Sequence, residues 1–229
     1  MFVESVKGAN NSDPVTLWLN GGPGCSSMLG FLQEIGPYYL EEGIKYRKGD
    51  NLTENPHSWH KVSNLLFIES PPGVGFSYNT EEHYVHTDAN TAMDNYRAVL
   101  DFFDNKFPEY RKNRFWIAGE SYAGKYIPDL AVMIDKHNQQ EEKESNKIDF
   151  RGIMVGNGVM TFEDQDLPYA EIQFMIDHSF IDPLILSYYN YACQFDPESA
   201  GCGYFLKRYE ENTDELNPYS KIYNDFRRL

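Results

Sequence analysis

The stretch Arg114-Phe115-Trp116-Ile117-Ala118-Gly119-Glu120-Ser121-Tyr122-Ala123-Gly124 constrains the fold more than any other. Phe115 to Ala118 is a short apolar run of β type, and it meets a turn of small residues. Beyond it, Tyr122, Tyr126, Ile127, Leu130, Met133 and Ile134 recur at helical spacing. The pattern predicts strand, sharp turn and helix with Ser121 at the apex, the layout of a nucleophile elbow. At such a turn the serine Oγ stands clear of the sheet, and the N–H of the next residue opens the helix. The generic pattern is G-x-S-x-G; here Ala123 holds its last position and Gly124 follows one later. Taken alone, the turn fits a strand-to-helix junction with an incidental serine equally well.

Two further turns decide the matter. Val15-Thr16-Leu17-Trp18-Leu19 is β-rich and runs into Asn20-Gly21-Gly22-Pro23-Gly24-Cys25-Ser26-Ser27, with a helical Met28 to Leu32 after it. A tight turn needs one glycine, and this loop has three. Close approach of backbone to a ligand, or backbone N–H groups aimed at an anion, accounts for the excess. Val62 to Ile68 is a buried-strand pattern, and it too ends in a glycine-proline loop, Glu69-Ser70-Pro71-Pro72-Gly73-Val74-Gly75-Phe76-Ser77-Tyr78. Two such loops after two strands predict a site at the C-terminal edge of one sheet, where open α/β folds bind ligands.

The remaining segments fit that scheme. Residues 1–8 read as a strand, followed by a turn through Asn10 to Pro14. Glu34 to Tyr38 ends the helix after the first glycine loop. Residues 41–60 read as loop, with Trp59 packed as an anchor. Thr87 or Asp88 caps a long helix whose stripe is Ala92, Met93, Tyr96, Val99, Leu100, Phe103 and Phe107, and Pro108 ends it. Asn138 to Lys147 is a charged, solvated loop. Ile148 to Gly156 is another strand, with Gly156-Asn157-Gly158 as its exit. From Met160 the pattern turns helical and aromatic. The expected division is 1–159, the N-terminal part of a core, and 160–229, a helical insertion over the site.

With 229 residues and 41% hydrophobic residues, the chain is one globular domain or a large piece of one. Its net charge of −15 argues against a nucleic-acid partner, which needs a basic face. No apolar run approaches the ~20 residues that span a bilayer. No signal peptide is visible, and the chain opens inside a strand-like run, so its start reads as incomplete. Of three cysteines, Cys193 and Cys202 are spaced to pair, which leaves Cys25 over. Two sequons, Asn10-Asn11-Ser12 and Asn51-Leu52-Thr53, together with the cysteines, tilt the reading toward a secretory, lysosomal or vacuolar compartment.

Three long segments, in order, resemble the serine carboxypeptidases: Trp18 to Ser27, Glu69 to Tyr78, and Gly119-Glu120-Ser121-Tyr122-Ala123-Gly124-Lys125-Tyr126-Ile127-Pro128. Gly156-Asn157-Gly158 is a weaker fourth. The resemblance implies an α/β-hydrolase fold, a mixed and mostly parallel sheet flanked by helices with a helical insertion. It also implies removal of C-terminal residues from peptides at acidic pH, with no cofactor and no metal. Ser121 would be the nucleophile, and the N–H groups of Gly22 and Tyr122 the oxyanion hole. Asn20, Gly21 and Glu120 would bind the substrate's terminal carboxylate, with Glu34 behind them. Cys25 would form a disulfide to a distant part of the fold. Two glutamates that read a carboxylate work only when at least one is protonated. Paired carboxyls titrate high, which fits acid-pH activity.

A serine hydrolase also needs a base and an orienting carboxylate, which follow the nucleophile in the order Ser, Asp, His. After Ser121 the only histidines are His137 and His178. Neither stands in a motif like the family's, and the family's Asp motif is absent. The chain therefore reads as a fragment, as one chain of a two-chain enzyme whose second chain carries Asp and His, as a truncated gene model, or as a non-catalytic relative. C-terminal strands of the fold would be missing, which predicts an open sheet edge and exposed apolar surface. The alternatives to a carboxypeptidase are an acyltransferase of the same fold and a non-catalytic binding protein.

Overall fold

A computed structural model describes residues 3–8, 12–40, 52–80, 84–161, 167–193 and 195–213. Asn10, Asn11 and Asn51 of the sequons, residues 41–51 and residues 214–229 lie outside the described residues. The chain divides into two compact units, Met1–Thr161 and Phe162–Leu229.

The first unit is built on a five-stranded sheet. Its strands are β1 (Val3–Val6), β2 (Val15–Leu19), β5 (Asn64–Ile68), β6 (Phe115–Glu120) and β7 (Phe150–Gly156), in the spatial order β1-β5-β2-β6-β7. Strands β5, β2, β6 and β7 run parallel, and β1 pairs antiparallel with β5. Residues of β2, β5 and β6 alternate between two buried faces, as a covered parallel sheet requires. Val15, Leu17, Leu19, Leu66, Ile68, Phe115 and Ile117 pack on one face with Val99, Phe103, Ile127, Leu130 and Ile134. Those helical residues come from α1 (Asp88–Asp101), the π-turn after it and α2 (Ala123–Gln140). Trp18, Leu65, Phe67 and Ala118 pack on the other face with Ile35. Strand β7 pairs only with β6 among the described residues, and its Ile153 and Met154 are 40% and 39% exposed.

Three local features depart from the sequence reading. Within 41–60, Leu52–Glu54 forms β4, which pairs antiparallel with β3 (Tyr38–Leu40). The helix after the first glycine loop becomes a π-turn at Gly30–Glu34. Helix α2 runs on to Gln140, through residues expected in a loop, because Asn138 staples it to the segment that leads into β7. Its Nδ2 donates to the Ile148 carbonyl at 2.8 Å, and its Oδ1 accepts from the Ile148 N–H at 2.9 Å. Of the two expected caps for α1, Thr87 takes the role, its hydroxyl accepting from Asn90 N–H at 3.1 Å. Trp59 meets Trp18 edge to face at 5.7 Å between centroids.

The second unit holds α3 (Leu167–Asp177), α4 (Leu184–Cys193) and α5 (Ala200–Thr213), with no strand among its described residues. Ile172, Tyr189 and Tyr209 form its core around the Cys193–Cys202 disulfide. Cys25 is unpaired and exposed.

Candidate active site

Ser121 stands between β6 and α2 with φ of +58°, a left-handed conformation that costs a non-glycine residue of order 1–2 kcal/mol. Three backbone bonds hold it there. Its N–H donates to the Gly156 carbonyl at 3.1 Å. Its carbonyl accepts from Val159 N–H at 3.0 Å and Gly124 N–H at 2.9 Å. The exit of β7, legible in the sequence only as a turn, thus clamps the elbow from the side. The Ser121 side chain is exposed, and Tyr122 opens α2 behind it.

The loop after β2 lies directly against this turn. A Cβ on Gly21 would fall 2.3 Å from the Tyr122 nitrogen and 2.9 Å from the Ser121 Cβ. Only glycine lets the two backbones come so close. The loop then turns through Gly22, at φ of +108°. Ser27 ties its far end to the sheet: the Ser27 hydroxyl donates to the Ile68 carbonyl at 2.7 Å and accepts from Asn20 N–H at 3.2 Å.

Asn20 is buried, and its amide orientation is fixed. Its Oδ1 accepts from Trp18 Nε1 at 2.9 Å and from Gly30 N–H at 3.1 Å, so Nδ2 must face the other way. There it donates to Glu34 Oε2 at 3.2 Å and to Glu120 Oε1 at 3.2 Å. Sequence reasoning did not find Trp18 or the Gly30 N–H as the groups that aim Asn20. Burial, with the neighbouring Glu120 adding to it, raises the Glu34 carboxyl from 4.5 to about 7 against the hydrogen bond from Asn20. The pair therefore holds a proton well above the usual carboxylate range.

Two tyrosines complete the surround. Tyr122 donates its hydroxyl to Asp88 Oδ1 at 3.1 Å, and burial together with that carboxylate raises its phenol. Tyr126 packs edge to face on Tyr122 at 5.3 Å. Burial pushes the Tyr126 phenol up to about 12, opposed by a hydrogen bond with the Gly24 backbone. The structure thus brings Ser121, Tyr122, Glu120, Gly21, Asn20 and Glu34 together around the C-terminal ends of β2 and β6. Both histidines that follow Ser121 in sequence have local partners. His137 bonds Tyr96 Oη at 3.0 Å, and His178 bonds the Phe174 carbonyl at 2.8 Å.

A mostly parallel sheet flanked by helices, with a serine at positive φ between strand and helix, defines the α/β-hydrolase fold. The chain belongs to the serine carboxypeptidase family, whose model matches residues 1–228. It is 46% identical over 165 residues to the lysosomal protective protein of Mus musculus, an overlap of 72% of this chain and 32% of that protein. To serine carboxypeptidase-like 20 of Arabidopsis thaliana it is 39% identical over 226 residues, 96% of this chain and 44% of that protein. Among solved structures it resembles Kex1Δp, a prohormone-processing carboxypeptidase from Saccharomyces cerevisiae. The TM-score there is 0.68 at 27% identity, covering 92% of this chain and 48% of that one. The chain thus spans less than half the length of these relatives.

Proposed function

We propose that this chain is the nucleophile-bearing part of a serine-type carboxypeptidase that releases C-terminal residues from peptides through an acyl-enzyme at Ser121. The observation that carries this reading is the Asn20–Glu34–Glu120 cluster beside Ser121, with Glu34 raised to about 7. A peptide's free C-terminal carboxylate docks there, with the Gly21 backbone beside it, when a glutamic acid of the pair is protonated and donates to it. An endopeptidase has no use for such a clamp.

The chemistry then follows the acyl-transfer scheme. Ser121 Oγ attacks the scissile carbonyl, and the N–H groups of Gly22 and Tyr122 receive the developing oxyanion. The leaving group is the C-terminal amino acid, and water regenerates Ser121. The Asp and His that move the protons come from residues beyond these 229, in a continuing segment or in a second chain. Residues 160–229 correspond, in this reading, to the family's helical insertion. Family membership, the Cys193–Cys202 disulfide and the lysosomal name of the mouse relative support a lysosomal, vacuolar or secreted location. Among the described residues no helix is long and apolar enough to cross a membrane.

The test uses the protein from its native source, with whatever continuing segment or second chain it carries. Blocked dipeptides should lose their C-terminal residue at acid pH, and a fluorophosphonate should label Ser121. Both should vanish in Ser121→Ala. Turnover that survives Ser121→Ala would remove the nucleophile assignment, and transfer to an acyl acceptor in place of hydrolysis would move the protein to the acyltransferases.

A further inference from the structure

The second glycine-proline loop has no part in the chemistry above, yet it is built around an unusual group. Glu69, the residue after β5, is 1% exposed and makes no ion pair among the described residues. A buried carboxylate is tolerated only when its oxygens are satisfied by donors. Here both are. The Ser26 hydroxyl donates to Oε1, and the Phe76 N–H donates to Oε2 at 2.6 Å. The main-chain carbonyl of Glu69 accepts from the Ser77 hydroxyl at 2.6 Å. The loop wraps so closely that a Cβ on Gly75, at φ of +54°, would sit 1.9 Å from Glu69 Oε1. Gly75 is therefore glycine because Glu69 lies beneath it.

Ser26 belongs to the other glycine-rich loop, the one carrying Gly21 and Gly22. We infer that Glu69 is a positioning residue: its carboxylate locks the loop after β2 to the loop after β5 and so fixes the Gly22 N–H relative to Ser121. This rests on the proposed acyl-transfer reading of Ser121 and Gly22. Charge-assisted hydrogen bonds are about twice as strong as neutral ones, so a carboxylate holds the two loops better than an amide would. Ser27, bonded to the Ile68 carbonyl, anchors the loop to the end of β5, and Ser26 adds the bond that reaches the next loop. In Glu69→Gln the amide oxygen must face the Phe76 N–H, so the NH2 faces Ser26 Oγ, and the bond between the loops is reversed, neutral and weaker.

The test compares Glu69→Gln, Ser26→Ala and the double variant in the full protein. Turnover of a blocked dipeptide and backbone hydrogen exchange are followed together. Each single variant should lower kcat about ten-fold to a hundred-fold, as expected for misplaced transition-state donors, and leave KM within about two-fold. The double variant should be no worse than the poorer single, because both act on the same bond. Exchange at residues 21–28 should rise while that of β5 and β6 stays unchanged. Unchanged kcat, additive losses or unchanged exchange at 21–28 would each overturn the inference. If Glu69→Gln does not fold, Ser26→Ala alone is read by the same criteria. If the wild type shows no Ser121-dependent turnover, the proposed function fails, and the exchange measurement still decides the loop lock by itself.

Discussion

Glu34 and Glu120 approach one another from the π-turn and the end of β6 and share a single donor, Asn20 Nδ2, at 3.2 Å from an oxygen of each. One amide cannot neutralise two carboxylates. Burial takes water from Glu34 and the Glu120 charge adds to it, so Glu34 keeps its proton up to about pH 7.

That proton makes pH the first handle. A raised carboxyl contributes stability that is fully present below its unfolded value near 4.5 and is lost as pH climbs through about 7. Glu34→Gln is neutral at every pH. Thermal melts should therefore show the variant gaining on the wild type between about pH 5 and about pH 8, and the advantage should disappear in acid. Under the proposed function the wild-type KM for a blocked dipeptide should stay flat in acid and rise about ten-fold per pH unit once pH passes about 7, as the docking proton is lost. The variant's KM should be flatter. Parallel pH profiles for the two proteins would show that Glu34 does not titrate there.

Gly21 is where the loop after β2 presses on the elbow. Its missing Cβ leaves room for the Tyr122 nitrogen, which would otherwise be 2.3 Å away. Gly21→Ala should push the loop and the elbow apart. Under the proposed function kcat should drop by about 10²–10³-fold, the loss seen when one oxyanion donor is removed. Circular dichroism should remain native, because strands β2 and β6 do not depend on the loop for their buried faces. Steady-state kinetics with a folded variant check this, and wild-type turnover would mean that the loop gives way harmlessly.

Ser121 carries backbone strain that its side chain does not relieve. At φ of +58° glycine is comfortable and alanine is not. Ser121→Gly should raise stability by about 1 kcal/mol over the wild type, while Ser121→Ala should not. Both should lose fluorophosphonate labelling. Equal melting temperatures for the glycine and alanine variants would show that the turn is not strained as its dihedral implies.

What the sequence revealed tracks how locally each requirement acts. Ser121, Gly21 and Gly22 were legible because close backbone approach and positive φ demand small residues at fixed places within one turn. The stripes of α1 and α2 were legible because a buried helical face repeats within a dozen residues. The β3–β4 pair was not, since each strand has three residues, and Leu52–Glu54 is exposed throughout, so no alternation marks it. The Asn138 staple hides because a polar residue near a helix end looks like any other loop former. The Glu69–Ser26 bond hides for a different reason: its partners lie 43 residues apart, and neither side chain is unusual in its own neighbourhood.

The last handle is the disulfide. Cys193 and Cys202, nine residues apart, join the end of α4 to the start of α5 within a small core of Ile172, Tyr189 and Tyr209. So few buried residues give a three-helix unit little margin, and a cross-link of this loop size contributes about 2–4 kcal/mol. In the first unit no described cysteine is paired, and its sheet rests on apolar packing. A mild reductant should therefore act on one unit alone. Amides of α3, α4 and α5 should lose hydrogen-exchange protection, while those of β2, β5 and β6 keep theirs. Cys202→Ser should reproduce the effect without reductant. Loss of protection in the sheet at the same reductant concentration would mean that the two units unfold together and that the disulfide stabilises the whole chain.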